Sequence, residues 1–499
     1  MHRKPTDSLT FFRNKTFSIS IITLCVFALC IFLFTDSTYA FIEAASLWVR
    51  NYFGRYYLLL GLFCVVFITV IALLPIGKKR LGEVNDKPEY SRWAWIAMLY
   101  SAGMGAGILL RAVQEPVYMF INPPINTSAT AETIALEYTF YQWGFTAWAF
   151  YGLFGLILAY YLYNKQRPVL LSSSISSFVV RTSVLRSLDV LVILTTVFGL
   201  VGAIGLGTTQ ISGGLNHLLP YTFSLKSTLL IVVLISILAF ISVWKGVDKG
   251  IKIISTGNIL ATLVLLFIVV VHGDAWAILS RFAITIGRYV FDFIPLSLSL
   301  GAFNPGEEFL SDWTYYYWAF WLAWAPFTGV FIARISKGRT IRELLFGVML
   351  IPSLGTFFWF SAFGEGAFSM LTEWGTYQGE FGNVFTSVFV YFNEFPLQSV
   401  INTMVVLLLI SFLVTSVDSA VFVLSMFTDS GKLNPSKKMR LIWSIVIAIF
   451  TLAIVILGNV RTEIDVLIAL QKLLIVTSLP FALLIPILCY FFVRDLQKS

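Results

Sequence analysis

The apolar residues of this chain come in blocks of about 20, the length an α-helix needs to cross the hydrocarbon core of a bilayer. No other feature restricts its fold as strongly. The blocks fall near 16–35, 56–76, 93–121, 135–163, 188–215, 226–244, 251–272, 313–336, 340–363, 399–424, 440–460 and 466–493. With 58% hydrophobic and 12% charged residues among 499, the chain lacks the charge that clothes a soluble domain. The pattern therefore predicts an all-α integral membrane protein with twelve transmembrane helices. The first block has a basic flank and is followed by Thr38-Tyr39-Ala40, as in a signal peptide. Its apolar core exceeds the usual 7–15 residues, so a retained helix is expected.

The cations record topology. With both termini cytoplasmic, the inside segments hold 26 of the 34 Lys and Arg, the outside segments six, and Arg111 and Lys472 lie within spans. Basic loops stay on the cytoplasmic side during insertion, so this alternation accounts for the net charge of +8 without a nucleic-acid partner. Thr38 to Phe53 reads as a short interfacial helix, and 275–296, with Arg281, Arg288 and Asp292, as a helix lying on the outer surface. Cys25, Cys30, Cys64 and Cys489 lack metal or disulfide spacing and read as small buried hydrophobes.

Three segments carry the polar chemistry. Ser101-Ala102-Gly103-Met104-Gly105-Ala106-Gly107, followed by Arg111 and Glu115-Pro116, interrupts the third span. Two readings stand: a broken helix whose freed carbonyls face a binding cavity, or close packing by small residues. The tenth span contains Thr415-Ser416-Val417-Asp418-Ser419, which suits a hard cation such as sodium or, alternatively, hydroxyls bonded back to the preceding turn. The fourth and eighth spans are rich in rings. Trp143, Trp148, Trp321 and Trp324 lie too deep for an interfacial belt, and Tyr317, Trp321 and Trp324 fall within a stripe of about 60°. Facing ring walls suit an alkylated cation, which is attracted by aromatic faces. Arg111 either pairs with Glu115 at i,i+4 or grips a substrate carboxylate or sulfonate.

These segments resemble the betaine/carnitine/choline transporter family over nearly the whole chain. The likeness is carried by DWTYYYWAFWLAWAPFTGVFIARISKGRTIRE (Asp312 to Glu343), SAGMGAG followed by EP, WGFTAWAFYGLFGLILAYY, VFGLVGAIGLGTTQISGGL and FLVTSVDSA. The resemblance implies a leucine-transporter-like inverted repeat, spans 3–7 (93–272) and 8–12 (313–493). Two N-terminal helices (1–92) precede it, an outer segment (273–312) lies between the halves, and a short cytoplasmic tail (494–499) follows. It implies alternating-access import of a small quaternary-ammonium or related zwitterionic solute such as betaine, choline or carnitine. A sodium-independent exchanger, or a carrier of taurine or dimethylsulfoniopropionate, is the alternative.

The family's substrate box corresponds here to Trp143, Trp148, Tyr151, Trp321 and Trp324, with Phe320 beside it, and its sodium site to Ser101, Met104, Phe412, Thr415 and Ser416. Sodium is thus the expected coupling ion, with no other cofactor. Homotrimers in a bacterial inner membrane are expected, because family members are often trimeric. Two positions depart from the family pattern: Phe320 replaces the usual tryptophan, and Arg111 a neutral residue. The five residues after Arg494 also imply that an osmosensing tail is missing. An enzyme is not expected, since His2, His217 and His272 are scattered without cysteine partners. A gated carrier fits a broken helix beside an occluding box better than a channel does.

Overall fold

A computed structural model describes residues 14–498 apart from 84, 104, 222, 246–247 and 461–464, with the side chains of 102–103, 245 and 248–252 also outside the description. Met104 and Arg461 therefore lie outside the described residues, as do Arg3, Lys4 and Arg13. Among the described residues the regular structure is helical: α1 (Lys15–Leu33), α2 (Thr35–Leu73), α3 (Arg92–Gly103), α4 (Ala106–Arg111), α5 (Gln114–Ile121), α6 (Ala131–Trp143), α7 (Phe145–Ala159), α8 (Thr182–Leu218) and α9 (Leu225–Lys245) form the first part. The second comprises α10 (Asp248–His272), α11 (Ala275–Leu298), α12 (Glu307–Phe309), α13 (Tyr315–Ile335), α14 (Ile341–Trp374), α15 (Ser387–Asn393), α16 (Gln398–Thr428), α17 (Lys437–Leu457) and α18 (Val466–Gln497). Among the described residues, extended pairing is limited to one bridge between Arg80 and Thr340.

Eleven of the described helical stretches are long and apolar enough to cross a membrane. Counted as one span, Arg92–Ser101 and Ala106–Ile121, bent by 58° at their break, bring the number to twelve. The chain is a multi-pass membrane protein. A helix in lipid must satisfy its backbone internally, so the twelve predicted spans and the twelve found agree because each block is forced into the same conformation.

Two expectations are corrected. Thr38 to Phe53 is not a separate interfacial helix. It is the first half of α2, which runs unbroken for 39 residues, about 58 Å at helical rise. No proline interrupts this stretch, and polar links hold the extra length to the rest of the protein: Arg50 with Asp312 at 3.4 Å, Arg55 with Glu307 at 3.5 Å, and Glu43 with Lys472. Cys25 is exposed rather than buried, because α1 presents only one face to the bundle, through Phe17, Leu24, Ala28 and Ile31.

The centre is the contact of α7 with α13, made possible by two glycines. A Cβ at Gly155 would lie 2.6 Å from Ile332 Cγ2, and one at Gly329 would lie 2.7 Å from the Phe154 Cβ. Small residues let membrane helices approach closely where lipid supplies no hydrophobic drive. α11 is a single amphipathic helix, as 275–296 predicts, laid across α6 and α14. Arg281 pairs with Glu365 at 3.0 Å and Glu132 at 4.0 Å, and Arg288 with Glu137 at 3.4 Å.

At the opposite end, the α2–α3 loop is pinned to the α13–α14 loop. Leu81 N donates to Arg339 O and Gly338 N to Leu81 O, both at 2.8 Å. The turn needs φ +77° at Gly338, where a Cβ would also strike the Lys87 carbonyl at 2.5 Å. Arg342 donates to the carbonyls of Ala72 and Leu73, closing the end of α2.

Replacing Gly329 by Val overfills the α7–α13 contact. It is expected to destabilise the protein by about 1–3 kcal/mol, read as a lower thermal midpoint in detergent than that of the wild type. An unchanged midpoint would show that this contact yields without cost.

Candidate functional site

The fourth span is broken between Trp143 and Phe145. Gly144 adopts φ −99° and ψ −133°, and a Cβ there would lie 2.5 Å from the Phe140 carbonyl and 2.6 Å from the Phe357 ring. Only glycine fits. A broken helix strands carbonyls on one side and N–H groups on the other, and side chains from other helices take them up. Trp321 Nε1 on α13 donates to the Gln142 carbonyl at 2.9 Å, and Thr356 Oγ1 on α14 to the Trp143 carbonyl at 3.4 Å. The Phe145 N–H donates to the Tyr289 hydroxyl on α11 at 3.0 Å.

The break sets Trp143 and Trp148 on either side of it, and their rings join those of α13. Trp143 meets Trp321 edge to face with centroids 5.1 Å apart, Tyr151 meets Trp321 at 6.0 Å, and Trp148 meets Tyr151 at 5.4 Å. Thus Trp143, Trp148, Tyr151 and Trp321 form one connected wall, all buried. Phe320 packs against Trp321 at 5.2 Å and is half-buried. Trp324 lies one turn beyond. Its ring contacts Phe320 and Phe327 and its Nε1 donates to the Gly199 carbonyl of α8 at 3.2 Å, so it continues the wall towards α8.

Opposite this wall lies the interrupted third span. A Cβ at Gly105 would have no neighbour within 4 Å, and one at Gly107 would meet only the Trp143 ring edge, at 3.7 Å. Among the described residues, no atom lies where close packing by small residues would require one at Gly105. The broken span has open space at Gly105 and comes up to the Trp143 ring at Gly107.

A buried polar cluster joins this span to the rings. Glu115, fully buried, accepts from Trp143 Nε1 at 3.2 Å on each oxygen and from the Tyr317 hydroxyl, and its Oε2 is 3.9 Å from Arg111 Nε. Arg111 is buried as well. It donates to Gln114 Oε1 at 2.6 Å, and its guanidinium carbon lies 4.9 Å from the Trp313 ring centroid. The i,i+4 pair allowed by the spacing is therefore present, and three helical segments converge on one carboxylate.

The cation-site candidates occupy α3 and α16. Ser101, half-buried, donates to the Met98 carbonyl at 2.9 Å. Phe412 is buried, and Thr415 and Ser416 are half-buried on α16, which packs against α4 just beyond the break. Thr415 Oγ1 donates to the carbonyls of Ser411 and Phe412 at 2.9 and 3.1 Å. That is the back-bonded arrangement, and it leaves the hydroxyl lone pairs as ligands. Among the described residues, no group of three His, Cys, Asp or Glu could hold a metal ion.

Sequence reasoning passed over Tyr317 as a site residue, although it lies in the same stripe as Trp321, on which it stacks at 6.0 Å. It also missed Phe360, 5.1 Å from Trp143, and Tyr289. Neither carries a local signal, because each reaches the box from a helix distant in sequence.

Comparison with known proteins places the chain. A family model described as betaine/carnitine/choline family transporter matches residues 15–499. The glycine betaine transporter OpuD of Bacillus subtilis (strain 168) is 36% identical over 472 residues, covering 93% of this chain and 90% of the relative. The high-affinity choline transport protein of Escherichia coli (strain K12) is 33% identical, covering 95% and 70%. The ectoine/hydroxyectoine transporter of Virgibacillus pantothenticus is 33% identical, covering 90% and 89%.

Replacing Tyr289 by Phe keeps the ring but removes the acceptor for the Phe145 N–H. A buried donor left without a partner costs about 1–3 kcal/mol, so the variant should melt earlier in detergent. Its tryptophan emission should also shift, because Trp143 and Trp148 flank the break. Wild-type melting and emission would show the bond to be dispensable.

Proposed function

The chain belongs to the betaine/carnitine/choline transporter family, and from that premise we propose that it imports a small quaternary-ammonium or related zwitterionic solute by sodium-coupled alternating access. The observation that carries this reading is the continuous ring wall of Trp143, Trp321, Tyr151 and Trp148, which the broken third span meets at Gly107. A methylated onium group is too large and too weakly hydrated to demand a counter-ion at contact distance. The negative faces of several rings, with water excluded, suit it better, each contributing about 0.5–2 kcal/mol.

Betaine, choline and carnitine are the solute class, in keeping with relatives named as glycine betaine and choline transporters. Taurine and dimethylsulfoniopropionate offer the same zwitterionic pattern with other charged groups. Two broken spans meeting at one site suit a carrier in which the first repeat, 93–272, rocks against the second, 313–493, about a fixed box. The basic loops support cytoplasmic termini in a bacterial inner membrane.

Sodium coupling is supported by the oxygen set of the Ser101, Met104 and Phe412 carbonyls with the Thr415 and Ser416 hydroxyls. The back-bonded Thr415 hydroxyl keeps its lone pairs available to a cation; sodium-independent exchange is the second reading.

Trp148→Leu and Trp321→Leu are each expected to weaken binding of a quaternary-ammonium solute by about two- to thirtyfold, the equivalent of one ring face. Titration of the purified protein, followed by tryptophan emission, measures this. Unaltered affinity in both variants would remove the rings from the site.

Replacing sodium by potassium should abolish concentrative uptake into proteoliposomes, and Thr415→Val with Ser416→Ala should do so even in sodium. Uptake that ignores the cation would leave exchange as the mechanism.

A further inference from the structure

We propose that the buried Arg111–Glu115 pair sets the charge selectivity of the ring-lined site, so that an onium zwitterion carrying a carboxylate is taken in preference to a plain onium cation. This inference rests on the solute reading above and extends it. The Glu115 carboxylate is held by the edges of two rings of the wall: Trp143 Nε1 at 3.2 Å and the Tyr317 hydroxyl. An onium group within about 6 Å of the Trp143 ring therefore sits within about 10 Å of that carboxylate. At such a distance, in a medium of effective dielectric constant about 20, a unit charge changes the affinity of a cation roughly tenfold.

Glu115 alone would thus bias the site towards net-positive solutes. Arg111 cancels that bias. Its Nε is 3.9 Å from the carboxylate, and its guanidinium is fixed by Gln114 at 2.6 Å and by the Trp313 ring face at 4.9 Å. The two charges lie side by side, and the rings then see a nearly neutral neighbour. A cation gains nothing from such a pair. A zwitterion loses nothing, and its carboxylate finds a guanidinium on the same side of the site.

The consequence is a selectivity that either charge, left alone, tilts in a known direction. An unpaired charge acts on the whole charge of a cation, whereas for a zwitterion its effects on the onium and the carboxylate largely cancel. Removing Glu115 leaves a positive charge that repels the cation. Removing Arg111 leaves a negative charge that attracts it. Removing both restores neutrality. A pair that serves only to hold α4 and α5 together would weaken both solutes alike.

The test compares glycine betaine with choline, titrated against the purified full-length protein and followed by tryptophan emission. The wild type should bind glycine betaine more tightly. Glu115→Gln should shift the affinity ratio a further tenfold or so towards glycine betaine, and Arg111→Gln about tenfold towards choline. The double variant, neutral again but without the guanidinium that meets the carboxylate, should fall between Arg111→Gln and the wild type. Gln114→Glu, which adds a negative charge to a side chain already bonded to Arg111, should also shift the ratio towards choline. It carries the test if a single variant with an unpaired charge does not fold. A ratio that stays constant across the variants, or a wild type that prefers choline, overturns the proposal. A wild type that binds neither solute overturns the onium reading itself, and this inference with it.

Discussion

The site depends on one interruption of a membrane helix. Between Trp143 and Phe145 the backbone leaves its hydrogen-bond ladder at a glycine that cannot carry a Cβ, in a setting where unpaired backbone groups cost several kcal/mol each. The fold meets that requirement with side chains rather than water. Trp321 closes the Gln142 carbonyl, Thr356 that of Trp143, and Tyr289 the Phe145 N–H. The break therefore fixes the position of one box residue, Trp321, through the carbonyl it releases, and sets the directions of Trp143 and Trp148 by ending one helix and starting the next.

The same three bonds tie the box to α13, α14 and α11. α11 is also stapled by Arg281 and Arg288 to carboxylates on α6 and α14. A displacement of α11 would withdraw the Tyr289 hydroxyl from the start of α7. In this way the amphipathic helix α11 is in mechanical contact with the rings of the wall, although it contributes none of them.

Arg111 gives the site its individual character. Burying a charge within a span is costly unless it is paired, and this chain pairs it with Glu115, four residues on. The carboxylate in turn organises Trp143 and Tyr317, so removing either charge affects ring geometry as well as field. Charge balance and ring placement are one problem here, solved by one carboxylate.

The sequence by itself determined the class of fold, the number of spans and the residue types of the box. In a bilayer, length and apolarity leave a segment no conformation but a helix, and tryptophans too deep for the interface face other helices. It also determined that Arg111 and Glu115 were within reach, because four residues make one turn. What only the tertiary structure decided was which rings meet: Trp143 with Trp321 and Phe360, and Trp324 turned to the Gly199 carbonyl. It likewise decided that α2 runs on through Thr38 to Phe53, and that Tyr289 serves the break at Gly144. These are contacts between helices far apart in the chain. They are set by the close approach of glycine-lined faces and by the need to satisfy stranded backbone groups, neither of which leaves a periodic trace in any one segment.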